Sequence, residues 1–314
     1  MKKATMCKTV KVRVPATTAN LGPGFDVLGA SLSLYNELEV SIAEDPKKAK
    51  FVVAGEGRKI LPKDERNILW KAMDAVFMLL DQNDKYSLNS FNIKLTNNIP
   101  LSSGLGSSSA ARAAGIIAAN QICGNKLTLG EMAQLGVKLE GHPDNIIPAF
   151  YGGICISINQ GNDMIDVIKL PIPKIKAVVC TPGFELATER SRNILPSKYD
   201  RKDVVFNISR VALLIKAFCT NDFKVLQEAM QDKIHQPYRA KLIPVMQELI
   251  DSAVKEGAYG ACLSGAGPSM IAFCDSSKAE KIAKAMAKIW KKETVPTKTF
   301  ILNFDKNGAE KVTK

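Results

Sequence analysis

Hydrophobic and polar residues alternate along several short stretches of the chain, with the two-residue period of a β-strand that has one face in water. Residues 8–14 place valines between charged neighbours and predict a strand that stops at Pro15, and residues 91–95 repeat the same alternation. Similar short apolar runs predict further strands at residues 38–42, 51–53, 152–158, 177–180, 261–263, 269–273 and 299–302.

Apolar residues spaced three and four apart predict helices between these strands. Residues 107–122 are rich in Ala and Ile and begin with serines that can accept helix N–H bonds, so this helix starts directly from the preceding loop. Thr128 and Glu131 form a capping box at the start of a second helix, which continues to Glu140. The remaining helical patterns cover residues 67–80, 203–218, 222–230, 242–255 and 278–291.

The order of these elements sets the expected fold class. Strand pairs that lie beside runs of helices indicate an α+β fold more than a regular βαβ series. A chain of 314 residues has room for about two domains of ~150 residues each. We place the boundary at the turn formed by residues 160–163, which divides the chain into domains of residues 1–160 and 161–314.

Composition narrows the class of protein. Hydrophobic residues make up 46% of the chain, which excludes a disordered protein. Lys and Arg total 43 against 31 Asp and Glu, and this net charge of +12 favours an anionic partner such as a nucleotide, a phosphorylated metabolite or nucleic acid. The seven cysteines never form a CxxC pair, so we expect buried thiols in a reducing cytoplasm. We expect no membrane partner, because no segment has the character of a signal peptide or a transmembrane helix.

A Gly/Ser-rich loop at residues 100–111 joins a predicted strand to a predicted helix. Its glycines allow the backbone to approach a ligand, and its hydroxyls together with the free N–H groups of a helix N-terminus form an anion site, for which phosphate is the natural ligand. The loop lacks the lysine of a Walker A motif and the third glycine of a dinucleotide fingerprint. Taken alone, a Gly/Ser loop is more often a plain connector.

Three further motifs favour a ligand-binding loop over a plain connector. Residues 15–26 carry two glycines, an amide and a carboxylate, residues 140–145 follow the capped helix, and residues 263–269 lie between two late strands. Together with the loop at 100–111 these motifs resemble the GHMP kinases, a family of small-molecule kinases. The resemblance implies two α+β domains, an N-terminal one like the second domain of ribosomal protein S5 and a C-terminal ferredoxin-like one, with the active site between them.

Within that family, the motif at residues 15–26 is similar, without a gap, to the members that phosphorylate homoserine. Residues 188–196 and 235–239 resemble their substrate-binding segments, although Arg190 stands where a small or acidic residue is expected. The resemblance therefore implies an enzyme that uses ATP and Mg²⁺ to phosphorylate the hydroxyl group of L-homoserine, in threonine biosynthesis. Members of the family commonly dimerise, so a homodimer stays open.

The resemblance also implies which residues bind ATP and the metal ion. ATP would contact the phosphate loop and two residues near adenine, which are Pro100, Leu101, Ser102, Ser103, Gly104, Leu105, Gly106, Ser107, Ser108, Ser109, Ala110, Asn67 and Lys94. Mg²⁺ would take one hydroxyl and one carboxylate, from Ser108 and Glu140, with Ser107 or Ser109 as alternatives to Ser108.

For the amino-acid substrate, the family motifs imply a cationic clamp and a set of acceptors. Arg192 and Arg239 would bind the carboxylate by paired N–H bonds. Asn20 and Asp26, helped by Asp144, would hold the ammonium group and the hydroxyl end. The other residues that complete the pocket are His142, Asn145 and Thr188.

The catalytic residues that the resemblance implies are Asn145, Asp144 and Asp26. Related kinases use an aspartate near the attacking hydroxyl, whereas this motif has the amide of Asn145. We therefore predict transition-state stabilisation without a dedicated strong base, with Asp144 and Asp26 as lesser candidates for that role.

Two alternatives remain. The first is a kinase of the same family acting on another alcohol such as mevalonate, and the amide and carboxylate of Asn20 and Asp26 argue against it because such substrates lack an ammonium group. The second is a non-catalytic nucleic-acid-binding protein that uses the net charge of +12. An aromatic content of 6% argues against the second, so we expect no nucleic-acid partner.

Overall fold

The computed structural model describes residues 9–161 and 164–312. Its strands are β1 (Thr9–Ala19), β2 (Leu28–Ile42), β3 (Phe51–Gly55), β4 (Phe91–Asn97), β5 (Ile154–Asn159), β6 (Ile165–Leu170), β7 (Lys176–Pro182), β8 (Gly260–Leu263), β9 (Met270–Cys274), β10 (Thr297–Leu302) and β11 (Glu310–Lys311). Its helices are α1 (Ile68–Leu79), α2 (Ser107–Ile122), α3 (Leu129–Glu140), α4 (Pro143–Tyr151), α5 (Thr188–Asn193), α6 (Arg201–Thr220), α7 (Leu226–Ala229), α8 (Gln236–Arg239), α9 (Met246–Lys255) and α10 (Ala279–Lys292).

The first domain is built on a sheet in the order β11-β1-β2-β4-β3, to which β5 adds by pairing with β2, and β6 by pairing with β5. The long strand β2 pairs with β1 along nearly its whole length, with β5 at its start and with β4 at its end. Helices α2 and α4 pack against β1 and β2, and α1 packs against α2. The interior between them is apolar, and side chains such as Met73, Phe77 and Ile116 have no exposed surface.

The second domain contains a four-stranded antiparallel sheet in the order β10-β7-β9-β8. The chain reaches these strands in the order β7, β8, β9, β10, with helices between β7 and β8 and between β9 and β10, which is the ferredoxin-like arrangement. Helices α9 and α10 pack against this sheet around a core that includes Leu249, Ile282 and Met286. The predicted two-domain α+β fold is confirmed.

The boundary between the two sheets lies further along the chain than the predicted residue 160. β6 pairs with β5 over its whole length and so belongs to the first sheet. Asn162 and Asp163 of the predicted turn lie outside the described residues. The chain also returns to the first sheet at its end, where β11 pairs with β1 and Arg13 contacts Glu310 at 2.8 Å.

At two prolines the structure differs from the elements that the periodicity predicts. Pro15 does not end β1, because the strand shifts register between Pro15 and Ala16 and continues pairing with β2 to Ala19. Pro148 lies inside α4, a helix that the sequence patterns did not predict. Pro148 has no N–H, so the helix hydrogen bond to the carbonyl of Asp144 is missing. Gly29 of β2 packs closely against that carbonyl, and a Cβ added to Gly29 would lie 1.8 Å from its oxygen.

The cysteines within the described ranges carry free thiols. Cys155, Cys180, Cys262 and Cys274 are buried, as expected, whereas Cys219 is exposed and Cys123 is half-buried. Burial raises the pKa of Cys155 and Cys180 to about 12, so these thiols stay protonated and pack as small apolar groups. Cys7 lies outside the described residues. Within residues 9–161 and 164–312, helices with the length and hydropathy needed to cross a bilayer are absent.

Candidate active site

A polar cavity of about 140 Å³ opens between the two domains. Both domains contribute to its wall, and most of the residues singled out in the sequence meet there. Its lining residues are Asn20, Ser102, Ser103, Gly104, Gly106, Ser107, Ser108, Glu140, His142, Asp144, Asn145, Thr188, Arg192, Arg239 and Ala266.

The Gly/Ser loop enters the cavity as the N-terminus of α2. Gly104 and Gly106 take left-handed backbone conformations with φ of 80° and 65°, which glycine adopts without steric cost. Gly106 is the N-cap residue, so the first N–H groups of α2, from Ser107 and Ser108 onward, have no partner within the helix, and both serines line the cavity. An anion is favoured at this position by the free N–H groups and by the helix dipole.

The late glycine motif of the second domain packs directly on this loop. Ser264 donates from its hydroxyl to the carbonyl of Gly104 at 2.7 Å, and the N–H of Ser269 donates to the carbonyl of Ser103 at 3.0 Å. The N–H of Gly265 donates to the carbonyl of Ala19, at the end of β1. The loop is therefore held in shape from both domains.

A sharp corner between α3 and α4 delivers four polar side chains to the opposite wall. Gly141 ends α3 in the left-handed conformation, with φ of 87°, and Pro143 starts α4 at its first turn. The corner places Glu140, His142, Asp144 and Asn145 along the cavity; the sequence motif at 140–145 is thus a helix-to-helix turn.

Ser108 and Glu140 form the pair that could hold a divalent cation. The Ser108 hydroxyl donates to Oε1 of Glu140 at 2.7 Å, and Arg112 donates to Oε2 of the same carboxylate. One hydroxyl beside one carboxylate, next to the anion-favouring N-terminus of α2, suits Mg²⁺, which keeps several waters and shares its coordination with substrate phosphates. Among the described residues, clusters of three or more His, Cys, Asp or Glu side chains able to hold a metal ion are absent, so the metal ion would depend on such a shared arrangement.

Asp26 and Arg192 form a two-pronged ion pair at the edge of the cavity. Arg192 donates from Nη2 and Nη1 to the two carboxylate oxygens of Asp26, at 2.6 and 3.0 Å. The Asp26 hydrogen bonds come first among the causes that raise the pKa of Arg192. Asn20 fixes the loop, because its side-chain oxygen accepts the N–H of Asp26 at 3.0 Å and its amide group donates to the carbonyl of Gly265.

Arg239 projects from the short helix α8 and is 1% exposed. Its Nη1 donates to the carbonyl of Gly265 at 3.0 Å and its Nε donates to the carbonyl of Ser191 at 3.2 Å. Burial lowers the pKa of Arg239 to about 10, and the nearby charge of Arg192 acts in the same direction. The guanidinium therefore stays charged at neutral pH, and a carboxylate that entered the cavity would find two adjacent cations.

A chain of hydrogen bonds orients Asn145. The hydroxyl of Thr17 donates to Oδ1 of Asn145 at 2.8 Å, and Nδ2 of Asn145 donates to Oδ1 of Asp144 at 3.3 Å. The same Asp144 oxygen lies 2.7 Å from Nδ1 of His142. Burial disfavours the charged imidazole, but the hydrogen bond and the charge of Asp144, with the charge of Glu140, outweigh burial and raise the pKa of His142 above 6.5.

We expect this pKa shift to make the stability contribution of His142 depend on pH. A group whose pKa is raised in the folded protein stabilises it fully below the unfolded pKa, and this contribution is lost as the pH rises through the folded value. The difference in the free energy of unfolding between the wild type and His142→Gln should therefore be larger at about pH 5.5 than at about pH 9. Urea unfolding at both pH values measures it, and an equal difference at the two would contradict the ion pair.

A second, more apolar cavity of about 200 Å³ adjoins the phosphate loop and is lined by Leu61, Pro62, Ile68, Leu95 and other residues. Asn67 lies in its wall and also caps α1 by accepting the N–H of Leu69 at 2.9 Å. Lys94 does not line this cavity. It alternates with Leu95 along β4, so its exposed side chain lies on the other face of the sheet, and its contact with adenine stays a prediction.

The remaining loop residues support the site from below or from the side. Buried beneath the loop are Leu105, Ser109 and Ala110. Pro100 and Leu101 lie at its entry, and Leu101 lines the apolar cavity. The motifs did not point to Thr17 or Arg112 individually. Thr17 lay inside the motif at 15–26, and Arg112 could have been found from its position one helical turn after Ser108.

Two family models match the chain, one in each domain. Residues 67–153 match the GHMP kinases N terminal domain and residues 214–292 match the GHMP kinases C terminal domain. The chain is 43% identical over 272 residues to a homoserine kinase of Carboxydothermus hydrogenoformans, covering 86% of each chain. The chain belongs to the GHMP kinase family.

Other comparisons place the chain with the homoserine kinases inside the GHMP kinases. A homoserine kinase of Desulfitobacterium hafniense is 38% identical over 300 residues, which cover 96% of this chain and 99% of the relative. The crystal structure of homoserine kinase from Cytophaga hutchinsonii superimposes with a TM-score of 0.86 at 31% identity, covering 99% of this chain and 100% of that one. The superposition therefore covers both domains of this chain.

Proposed function

We propose that this GHMP kinase transfers the terminal phosphoryl group of ATP to the hydroxyl group of L-homoserine and so acts in threonine biosynthesis. The observation that carries the substrate assignment is the charge pattern of the polar cavity. Arg239 and Arg192 supply two guanidinium groups, and Asp26 supplies a carboxylate that is paired with Arg192. An α-amino acid carries the complementary pair of charges.

The Asp26–Arg192 ion pair gives a specific way to bind that zwitterion. The carboxylate of the substrate would take the Arg192 and Arg239 donors, and its ammonium group would take Asp26, so each charge freed from the ion pair finds a new partner. The cost of separating the existing pair is offset in this way, because neither charge is left unpaired in a half-buried site. A neutral alcohol, or an acid without an ammonium group such as mevalonate, cannot make both exchanges.

The phosphate loop and the adjoining apolar cavity support ATP as the donor. Backbone N–H groups of the loop and of the first turn of α2 would bind the phosphates, and the apolar cavity beside Asn67 and Leu95 suits the adenine ring. Ser108 and Glu140 would hold Mg²⁺, which when bound supplies positive charge to the phosphate oxygens. These residues act by binding and orienting, as phosphoryl transfer requires.

The orientation of Asn145 supports a reaction without a strong base at this position. Its oxygen accepts the Thr17 hydroxyl and its Nδ2 donates to Asp144, which leaves one lone pair and one N–H free for a substrate hydroxyl. A neutral amide is too weak a base to take a proton, so Asn145 would position the hydroxyl and not deprotonate it. The proton would leave to Asp144, Asp26 or the transferred phosphoryl oxygens, and we retain the two aspartates as the residues to test.

We expect Thr17→Val to lower kcat by about tenfold, the rate effect of about 1.4 kcal/mol, because Asn145 loses the hydrogen bond that fixes its amide. Valine keeps the shape of threonine, so the KM for ATP should stay within about twofold of the wild-type value. Steady-state kinetics with each substrate varied in turn measures both constants. A raised KM for ATP with an unchanged kcat would show that Thr17 acts on the phosphate loop instead.

The first experiment is ADP release with ATP and Mg²⁺, with L-homoserine, serine, threonine, mevalonate and no acceptor compared in parallel. Turnover specific to L-homoserine, with a phosphorylated amino acid as product, is the expected result. Turnover with another alcohol would retain the kinase and discard the substrate assignment. A folded protein that binds ATP and phosphorylates none of these acceptors would overturn the proposal and favour a binding protein.

The free thiols support a reducing compartment, and with it the cytoplasm, as the place of this reaction.

A further inference from the structure

Arg112 makes a contact at the metal-binding pair that the proposed reaction does not use. It lies on α2 four residues after Ser108, on the same side of the helix, and its Nη1 lies 2.5 Å from Oε2 of Glu140. Ser108 occupies the other oxygen at 2.7 Å. The Glu140 side chain is 6% exposed and that of Arg112 is 21% exposed, so the contact is largely shielded from water.

The two neighbours of the carboxylate approach it from different directions. Ser108 and Glu140 both line the polar cavity, whereas Arg112 is absent from its lining among the described residues. Arg112 therefore holds the carboxylate from behind, and Oε1 is the oxygen that a ligand in the cavity can reach. Glu140 is also the last residue of α3, where the negative end of the helix dipole favours a cation nearby.

The guanidinium has a second consequence, which is electrostatic. Glu140 and Arg112 together have no net charge, so the pair attracts a free divalent cation only weakly. Because the position is shielded from water, salt screens the interactions of both charges with the cation only slightly. A nucleotide triphosphate adds several negative charges and oxygen ligands at the adjacent phosphate loop. A cation that arrives with the nucleotide is therefore favoured where a free cation is not.

We propose that Arg112 is a positioning residue that turns one oxygen of Glu140 toward the cavity and prevents this site from taking a divalent cation before the nucleotide is bound. The metal ion enters with the triphosphate. This inference rests on the part of the proposed function that assigns Ser108 and Glu140 to Mg²⁺, and it is independent of which alcohol is phosphorylated.

Binding of Mn²⁺ to the full chain, followed by the loss of the electron paramagnetic resonance signal of free Mn²⁺, tests the proposal without any turnover. It is measured with and without a non-hydrolysable ATP analogue, for the wild type, Arg112→Met and Arg112→Lys. The control is Lys138→Met, because Lys138 is exposed on the same helix as Glu140 and its loss changes the net charge equally. Thermal unfolding of each variant checks that it folds.

In the absence of the analogue, we expect Arg112→Met to bind Mn²⁺ at least about tenfold more tightly than the wild type, because the opposing charge is gone. Arg112→Lys and Lys138→Met should bind as the wild type does. Adding Glu140→Gln to Arg112→Met should remove the gain, since it removes the carboxylate that holds the ion.

Several results would overturn the proposal. Unchanged or weaker binding in Arg112→Met would show that the guanidinium does not oppose the cation. Equal tightening in Lys138→Met would show a general charge effect, and a gain that survives Glu140→Gln would place the ion elsewhere. Failure of the wild type to bind Mn²⁺ even with the analogue would overturn the metal assignment itself, whereas a wrong alcohol substrate would leave all of these measurements unchanged.

Discussion

Replacing Arg239 by methionine is expected to lower kcat/KM for L-homoserine by about a thousandfold, which corresponds to about 4 kcal/mol of transition-state stabilisation. The guanidinium is 1% exposed and is fixed by the carbonyls of Ser191 and Gly265, so it would meet the substrate carboxylate already desolvated and oriented. Methionine fills similar volume without charge. Steady-state kinetics over a range of L-homoserine concentrations measures the loss.

The control for this prediction is a change in the substrate. Propanolamine is homoserine without its carboxylate, so it should be a poor substrate for the wild type and no poorer for Arg239→Met. Arg239→Lys keeps the charge but loses the two-pronged geometry, and we expect an intermediate loss. If propanolamine and L-homoserine lost activity equally in Arg239→Met, Arg239 would be a structural residue and the carboxylate would bind elsewhere.

The position of Arg239 shows how the second domain completes a site that lies mainly on the first. Asp232 accepts the N–H groups of Ile234, His235 and Gln236 and so fixes the start of α8, at distances between 2.6 and 2.9 Å. His235 contacts the carbonyl of Gly22, also at 2.6 Å, which ties this short helix to the loop after β1. Through these bonds the segment at 235–239 reaches the pocket of the first domain.

Local signals were strong enough to predict part of the site from the sequence. The capping box at Thr128 and the serines after Gly106 are short-range chemistry, and α2 and α3 have the predicted bounds. Helices α5 and α8 were not predicted. They span Thr188–Asn193 and Gln236–Arg239, too short for an apolar period to show, and each depends on contacts with distant residues.

The state of the charged residues could not be predicted from the motifs. Asp26 and Arg192 were expected to bind separate groups of the substrate, and the structure pairs them with each other across 166 positions of sequence. The motifs also could not predict the surroundings of Arg112 and Lys94. The α2 register brings Arg112 onto Glu140, and the alternation along β4 puts the exposed Lys94 side chain on the sheet face opposite Leu95, which lines the apolar cavity.

Gly104→Ala should have the other large effect, with a loss of at least about a thousandfold in kcat/KM. Gly104 has φ of 80°, and a Cβ there would lie 2.1 Å from the carbonyl oxygen of Ser264 and 2.9 Å from the backbone nitrogen of Gly267. Because both clashing atoms belong to the backbone, no side-chain rotation can relieve them. The phosphate loop or the late glycine motif must move, and the hydrogen bond from Ser264 to Gly104 breaks.

Gly124→Ala separates this clash from the cost of the backbone conformation. Gly124 has φ of 87° and no atom within 4 Å of an added Cβ, so alanine there brings only the left-handed penalty of about 1 to 2 kcal/mol. We expect Gly124→Ala to lower the free energy of unfolding by that amount and to leave turnover and the affinity for an ATP analogue unchanged. Gly104→Ala should lose both, as measured by kinetics and by calorimetric titration of the analogue. If the two variants behaved alike, the close packing of the domains around the loop would not be needed for nucleotide binding, and the loop would act through the first domain alone.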